Sequence, residues 1–166
     1  AEVGELNRLA RTKLAEQGHL HSEITIETAR GDREFSVCDR VIFGRNSRQL
    51  GVKNGQLGTL SSWSLDARAG NLKLTIRMDS GETVVFDPSA YGHIDYGYAM
   101  SVHKSQGVTA DNVSVLISES MTDQEWSYVA VSRHRRRLRV FVPEGLDEGL
   151  SQNMGRSRQK GLASDY

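Results

Sequence analysis

Five short β-prone segments between residues 24 and 86, and the turn chemistry that separates them, constrain the fold more than any other feature. They are Ile24-Thr25-Ile26 and residues 37–43, 57–63, 72–78 and 83–86, rich in the β-branched and aromatic side chains that suit a pleated surface. In the fourth, Leu72, Leu74, Ile76 and Met78 alternate with Lys73, Thr75 and Arg77, the period of a strand with one buried face. Asn54-Gly55 and Asp79-Ser80-Gly81 are turn signals of the kind that close hairpins, because glycine accepts a positive φ. Strands of this number and spacing predict a small antiparallel β-barrel of SH3-like size.

On either side of this region the period changes. Val3, Leu6, Leu9, Ala10 and Leu14 recur at helical spacing and Gly18 follows, which predicts an amphipathic helix over 2–17 with a glycine stop. No capping residue precedes it, so the helix reads as cut from a larger element. After Pro88 the sequence suits a short helix over 98–106 ending at Gly107, a buried strand over 113–117, a helix over 123–133 and a strand over 138–142. Helix and strand alternating this closely predict an α/β unit with a parallel sheet. The N-terminal helix has no local partner and is expected to pack on that sheet, making the barrel an insertion. Residues 146–166 read as a polar, poorly ordered tail.

Composition narrows the function. The chain has 166 residues, and its 21 Lys and Arg balance 21 Asp and Glu, which argues against a general polyanion binder. Cys38 is the single cysteine, so a disulfide scaffold is excluded. No apolar run reaches the ~18–20 residues that cross a bilayer, and Ala1-Glu2-Val3-Gly4-Glu5 has no signal-peptide core. A cytoplasmic protein without membrane partners is expected. Charge is nonetheless uneven: residues 133–139 read Arg-His-Arg-Arg-Arg-Leu-Arg, which suits either a phosphate site or a solvated edge.

Several chemistries lack their residues. There is no Gly-x-x-x-x-Gly-Lys-Ser/Thr loop to cradle a triphosphate, no strand ending in paired acids to hold Mg²⁺, no Gly-x-Ser-x-Gly elbow and no Cys/His set with zinc spacing. His19-Leu20-His21 can place two imidazoles on one strand face, but it follows a helix stop with no third histidine nearby, so no metal site is assigned. Two other groups remain. His103-Lys104-Ser105-Gln106-Gly107 combines a cation, a hydroxyl, an amide and a glycine at one turn, a set that can hold a sugar-phosphate backbone. Tyr128-Val129-Ala130-Val131-Ser132-Arg133 ends a predicted helix in a guanidinium, which can stabilise charge on a transferring γ-phosphate. The bland alternatives are a local cap for Ser105, a structural role for His103 and a helix-dipole partner for Arg133.

These two groups resemble motifs V and VI of superfamily 1 DNA helicases in the RecD-like branch. Their surroundings are similar to the helicase half of conjugative relaxases of the TraA/TraI type: Gly31-Asp32-Arg33-Glu34-Phe35, Asp39-Arg40-Val41-Ile42-Phe43, Leu50-Gly51-Val52-Lys53-Asn54-Gly55, Leu57-Gly58-Thr59 and Tyr96-Gly97-Tyr98-Ala99. The resemblance runs from about residue 32 to 142, and residues 156–166 also look like sequence that follows the helicase in such proteins. It implies a RecA-like 2A subdomain made of 1–30 and 92–145, with an SH3-like 2B barrel inserted at 31–91.

The resemblance also implies roles. Arg133 would contact the γ-phosphate of ATP held across a cleft, with Gly107 at the nucleotide-coupled turn. His103, Lys104, Ser105, Gln106 and Gly107 would touch single-stranded DNA, and Arg45, Arg48 and Lys53 are the best further candidates for DNA contact. Related sequences often carry Glu where Thr109 stands. The Walker motifs would lie in a preceding RecA-like domain, so ATP and Mg²⁺ belong to the full-length protein, and this stretch, expected to be monomeric, should not hydrolyse ATP alone. A plasmid-encoded bacterial origin follows. Two rival readings are a docking module for a type IV secretion coupling protein and a generic single-strand binder using Trp63, Tyr91 and Tyr96.

Overall fold

The computed structural model describes residues 2–66, 70–105, 108–117, 128 and 132–142. The chain divides into two compact units, Ala1–Met100 and Ser101–Tyr166. The first opens with helix α1, Glu2–Glu16. Gly18 stops it at φ 71°: its amide donates to the Ala15 carbonyl and that of His19 to Leu14, the paired bonds of a Schellman cap.

The face that α1 buries is not the expected one. Val3, Leu6 and Leu9 stay exposed, at 37%, 37% and 50%, whereas Asn7 is buried. The reason is a polar attachment. The Asn7 Nδ2 donates to the carbonyls of Val3 (2.9 Å) and Ala99 (2.8 Å), and its Oδ1 accepts from the amides of Tyr98 (2.9 Å) and Ala99 (3.0 Å). One carboxamide thereby joins the first turn of α1 to the backbone of residues 98 and 99, with its donor and its acceptor both satisfied.

Seven strands follow: β1 His21–Thr28, β2 Gly31–Val37, β3 Arg40–Phe43, β4 Leu57–Leu65, β5 Leu72–Met78, β6 Thr83–Phe86 and β7 Ile94–Tyr96. β1 and β2 form an antiparallel hairpin. The other five make an antiparallel sheet in the order β6-β5-β4-β3-β7. No closed barrel forms among the described residues: β6 and β7 end the sheet as short edges, of four and three residues, and no pairing joins them. Closure would need a continuous tilted ladder, which these edges do not provide. Instead, Ile26 of β1 and Phe35 of β2 share one core with Val41, Phe43, Leu60, Leu74, Ile76 and Phe86. Burying each such side chain contributes roughly 1.5–3 kcal/mol.

The alternation expected in β5 is present, with Leu74, Ile76 and Met78 buried and Lys73 and Arg77 exposed. Gly81 sits at φ 97° and closes the β5–β6 hairpin. The expected strand over 37–43 is broken. Cys38 adopts φ 78°, the Asp39 amide donates to the Ser36 carbonyl, and the Ser36 amide donates to Asp39 Oδ2 at 2.6 Å. Asp39 thus makes its own turn and splits β2 from β3.

In the second unit β8, Ala110–Leu116, and β9, His134–Phe141, pair in parallel, as the α/β reading expects. Val115 and Ile117 are buried, with Val102, Val113 and Leu138 packed against them. The helix expected over 123–133 lies mostly outside the described residues, although Ser132 donates to the Tyr128 carbonyl at 3.0 Å. No described helix is long and apolar enough to cross a membrane.

Candidate nucleic-acid interface

Residues 101–105 form a single tight turn. The Ser105 amide donates to the carbonyls of Ser101 and Val102, both at 3.1 Å, and its hydroxyl donates to Val102 at 2.7 Å. Ser105 therefore caps its own turn, with its proton committed to the backbone. Val102 seats the turn on the small β8–β9 core, leaving His103 and Lys104 exposed. Gln106 and Gly107 lie outside the described residues.

Arg133 lies where the chain enters β9. Its carbonyl accepts the amide of Ala110, the first residue of β8, at 3.0 Å, and its guanidinium donates to Ser132 Oγ at 2.9 Å. Because the strands are parallel, Arg133 and the segment that follows Ser105 meet at the same end of the pair. Arg133 is partly exposed and the bond from its guanidinium to Ser132 lies open to solvent, within reach of a ligand whose oxygens match a planar fork of donors.

In the first unit Arg45, Arg48 and Lys53 are all exposed on the β3–β4 connection. This loop is pinned by a bridge between Ser47 and Val52 and by the Asn54 amide donating to Asn46 Oδ1 at 2.7 Å. At its base the Tyr91 hydroxyl donates to the Arg45 carbonyl, while the Arg45 guanidinium lies 3.4 Å from His93 Nε2. Asn54-Gly55 turns the end of this loop and does not close a two-residue hairpin.

The three rings considered for base stacking have structural work. Trp63 Nε1 donates to the Ser22 carbonyl at 2.7 Å. Tyr91 is buried against Phe43 and Phe86, and the Tyr96 hydroxyl donates to the Glu34 carbonyl. His19 and His21 are exposed, and the described residues contain no group of three His, Cys, Asp or Glu placed to hold a metal.

Sequence reasoning missed the polar centre of the first unit. The Asp39 side chain is 0% exposed; its Oδ2 receives Arg11 Nε at 3.1 Å and its Oδ1 the Tyr98 hydroxyl. Arg11 also donates to Glu23 and Ser36 and lies over the Tyr96 ring. Burial disfavours the Arg11 charge, but its hydrogen bond to Glu23, the negative charge of Asp39 and its hydrogen bond to Asp39 more than offset this and raise its pKa. Burial, reinforced by Asp39, pushes the Tyr98 hydroxyl well up. The available signal was an acid standing in a β-prone run.

The profile of the viral superfamily 1 RNA helicase core domain matches residues 52–142. The conjugal transfer protein TraA of Rhizobium radiobacter is 35% identical over 169 residues, covering 99% of this chain. The chain spans 15% of the length of that relative. The RecD subunit of the RecBCD enzyme of Mycobacterium tuberculosis is 31% identical over 104 residues, covering 60% of this chain and 17% of that protein. The Bacteroides Pif1 helicase in complex with ADP-AlF3 and ssDNA shares the fold with a TM-score of 0.58 at 20% identity, over 89% of this chain and 42% of that one.

Proposed function

Because the chain belongs to the superfamily 1 helicases, as a region like those of TraA and RecD, we propose that it is part of a plasmid-encoded conjugative relaxase-helicase of the bacterial cytoplasm. In the intact protein it supports ATP-dependent 5′→3′ movement along single-stranded DNA. Residues 1–30 and 92–145 serve as the 2A subdomain, and 31–91 as the 2B insertion.

The meeting of Arg133 with the segment after Ser105, at one end of a parallel strand pair, carries this reading. A change at the γ-phosphate, felt by Arg133, passes through the Ala110 hydrogen bond to the turn that holds the strand. His103, Lys104, Ser105, Gln106 and Gly107 form the DNA turn, Lys104 supplying charge and Ser105 holding the shape. Arg45, Arg48 and Lys53 add phosphate contacts. The single-stranded DNA held in the Bacteroides Pif1 complex supports the choice of partner. ATP is the substrate of the whole motor, and Mg²⁺ is assigned with it to the preceding RecA-like domain.

The 166-residue chain, incubated with Mg²⁺ and ATP, is expected to show no turnover. Hydrolysis abolished by Arg133→Ala would refute that. In a full-length protein carrying this region, Arg133→Ala should lower ATPase kcat by about 10³-fold or more, the scale of an arginine that stabilises phosphoryl transfer. A kcat within a few-fold of wild type would remove Arg133 from the mechanism.

A further inference from the structure

One face of the β8–β9 pair remains without a role. In register, Asn112 lies beside Arg137, Ser114 beside Arg139 and Leu116 beside Phe141. The intervening residues Val113, Val115 and Leu138 belong to the buried cluster, so strand alternation sends Arg137, Arg139 and Phe141 to the opposite face. All three are exposed, Phe141 at 53%. Just before them a register shift between Ala110 and Asn112 sets two residues, Arg135 and Arg136, against one carboxylate. Both lie about as far from Asp111 as an ion pair allows, at 4.0 and 3.9 Å, and exposed pairs of this kind contribute little.

We propose that this face binds the sugar-phosphate backbone of a single nucleic-acid strand, with Arg137 and Arg139 on successive phosphates and Phe141 under a base. Alternate residues on a strand stand about 6.6–6.8 Å apart, a repeat comparable to the separation of phosphates along an extended strand. Asn112 and Ser114 place neutral hydrogen-bonding groups beside the guanidinium groups, as sugar and phosphate oxygens require. An aromatic ring at the end of a cationic track is the arrangement that holds single strands without regard to sequence. An acidic peptide would use the arginines but gives Phe141 no partner. None of these residues belongs to the interface assigned above, and the inference rests on the reading that the chain handles single-stranded DNA.

The test is fluorescence polarisation of a labelled oligothymidylate with the 166-residue chain across a salt series, with circular dichroism checking the fold of each variant. The double variant R137Q/R139Q should bind about tenfold more weakly at low salt. It should also flatten the slope of log K against log salt by about 1.4, two phosphates at ~0.7 each. Phe141→Ala should weaken binding with the slope unchanged. If the double variant binds like wild type while Lys104→Gln weakens binding, this face is refuted and the helicase reading stands. If unaltered chain fails to bind at low salt, both fall. If a polyglutamate displaces the oligonucleotide and Phe141→Ala has no effect, the surface recognises acid rather than nucleic acid, and the proposal is overturned.

Discussion

Arginine has opposite surroundings in the two units. In Ala1–Met100 the arginines at the core's edge meet acids of the same unit: Arg11 with Asp39 and Glu23, Arg30 with Asp95, and Arg40 with Asp79 through two parallel hydrogen bonds of 2.7 and 2.6 Å. In the described part of Ser101–Tyr166, β9 carries Arg135, Arg136, Arg137 and Arg139, and Asp111 faces the first two at the limit of an ion pair. The same side chain thus closes a fold in one unit and faces outward in the other. A guanidinium whose fork is filled by a carboxylate contributes to shape, and one left facing water can take a phosphate.

The sharpest way to break this contrast is Asp39→Ala. It removes the buried carboxylate that accepts from Arg11, Tyr98 and the Ser36 amide, leaving Arg11 only the exposed Glu23 and Glu34, and removing one partner of a buried pair costs roughly 3–5 kcal/mol. Denaturant unfolding should show that loss; a midpoint near wild type would mean that Arg11 is solvated and the hub is incidental. Next comes Asp79→Asn, expected to cost about 1 kcal/mol or less because the pair is partly exposed. The hydrogen bonds from Arg40 hold the Asp79 carboxyl below its usual 3.8, against the opposing effect of burial. Its stabilisation is therefore complete above that value and disappears as pH falls through the lowered folded value. Melting curves between about pH 2 and 5 should be shallower for D79N than for wild type. The smallest effect belongs to R137Q/R139Q, whose melting should stay within ~0.5 kcal/mol of wild type. A larger loss would place these arginines among the scaffold.

What the sequence disclosed depended on how local the cause was. β5 and the turn at Gly81 were legible because side-chain alternation and a glycine suffice to specify them. The parallel β8–β9 pair was legible from helix and strand alternation. The β2–β3 break was not: the Asp39 carboxylate accepts the Ser36 amide, a polar bond that a run of β-prone residues does not reveal, and Arg11, 28 residues away, braces it. The buried face of α1 was misjudged for the same reason: hydrophobic spacing takes no account of a carboxamide that meets residues 98 and 99. The open sheet in place of a barrel reflects edge strands whose pairing no short-range signal encodes. For the interface, residue types and order were plain, but that Ser105 donates to its own turn emerges only from coordinates.

The attachment of α1 also has a single point of failure. Asn7 works because one end of its side chain donates while the other accepts, and an aspartate in its place would erase that polarity. The resulting carboxylate would still welcome the amides of Tyr98 and Ala99, yet it would turn a negative oxygen toward the carbonyls of Val3 and Ala99. Asn7→Asp would thus loosen the leading helix through one exchanged group, while the ladders of the sheet stay as they are.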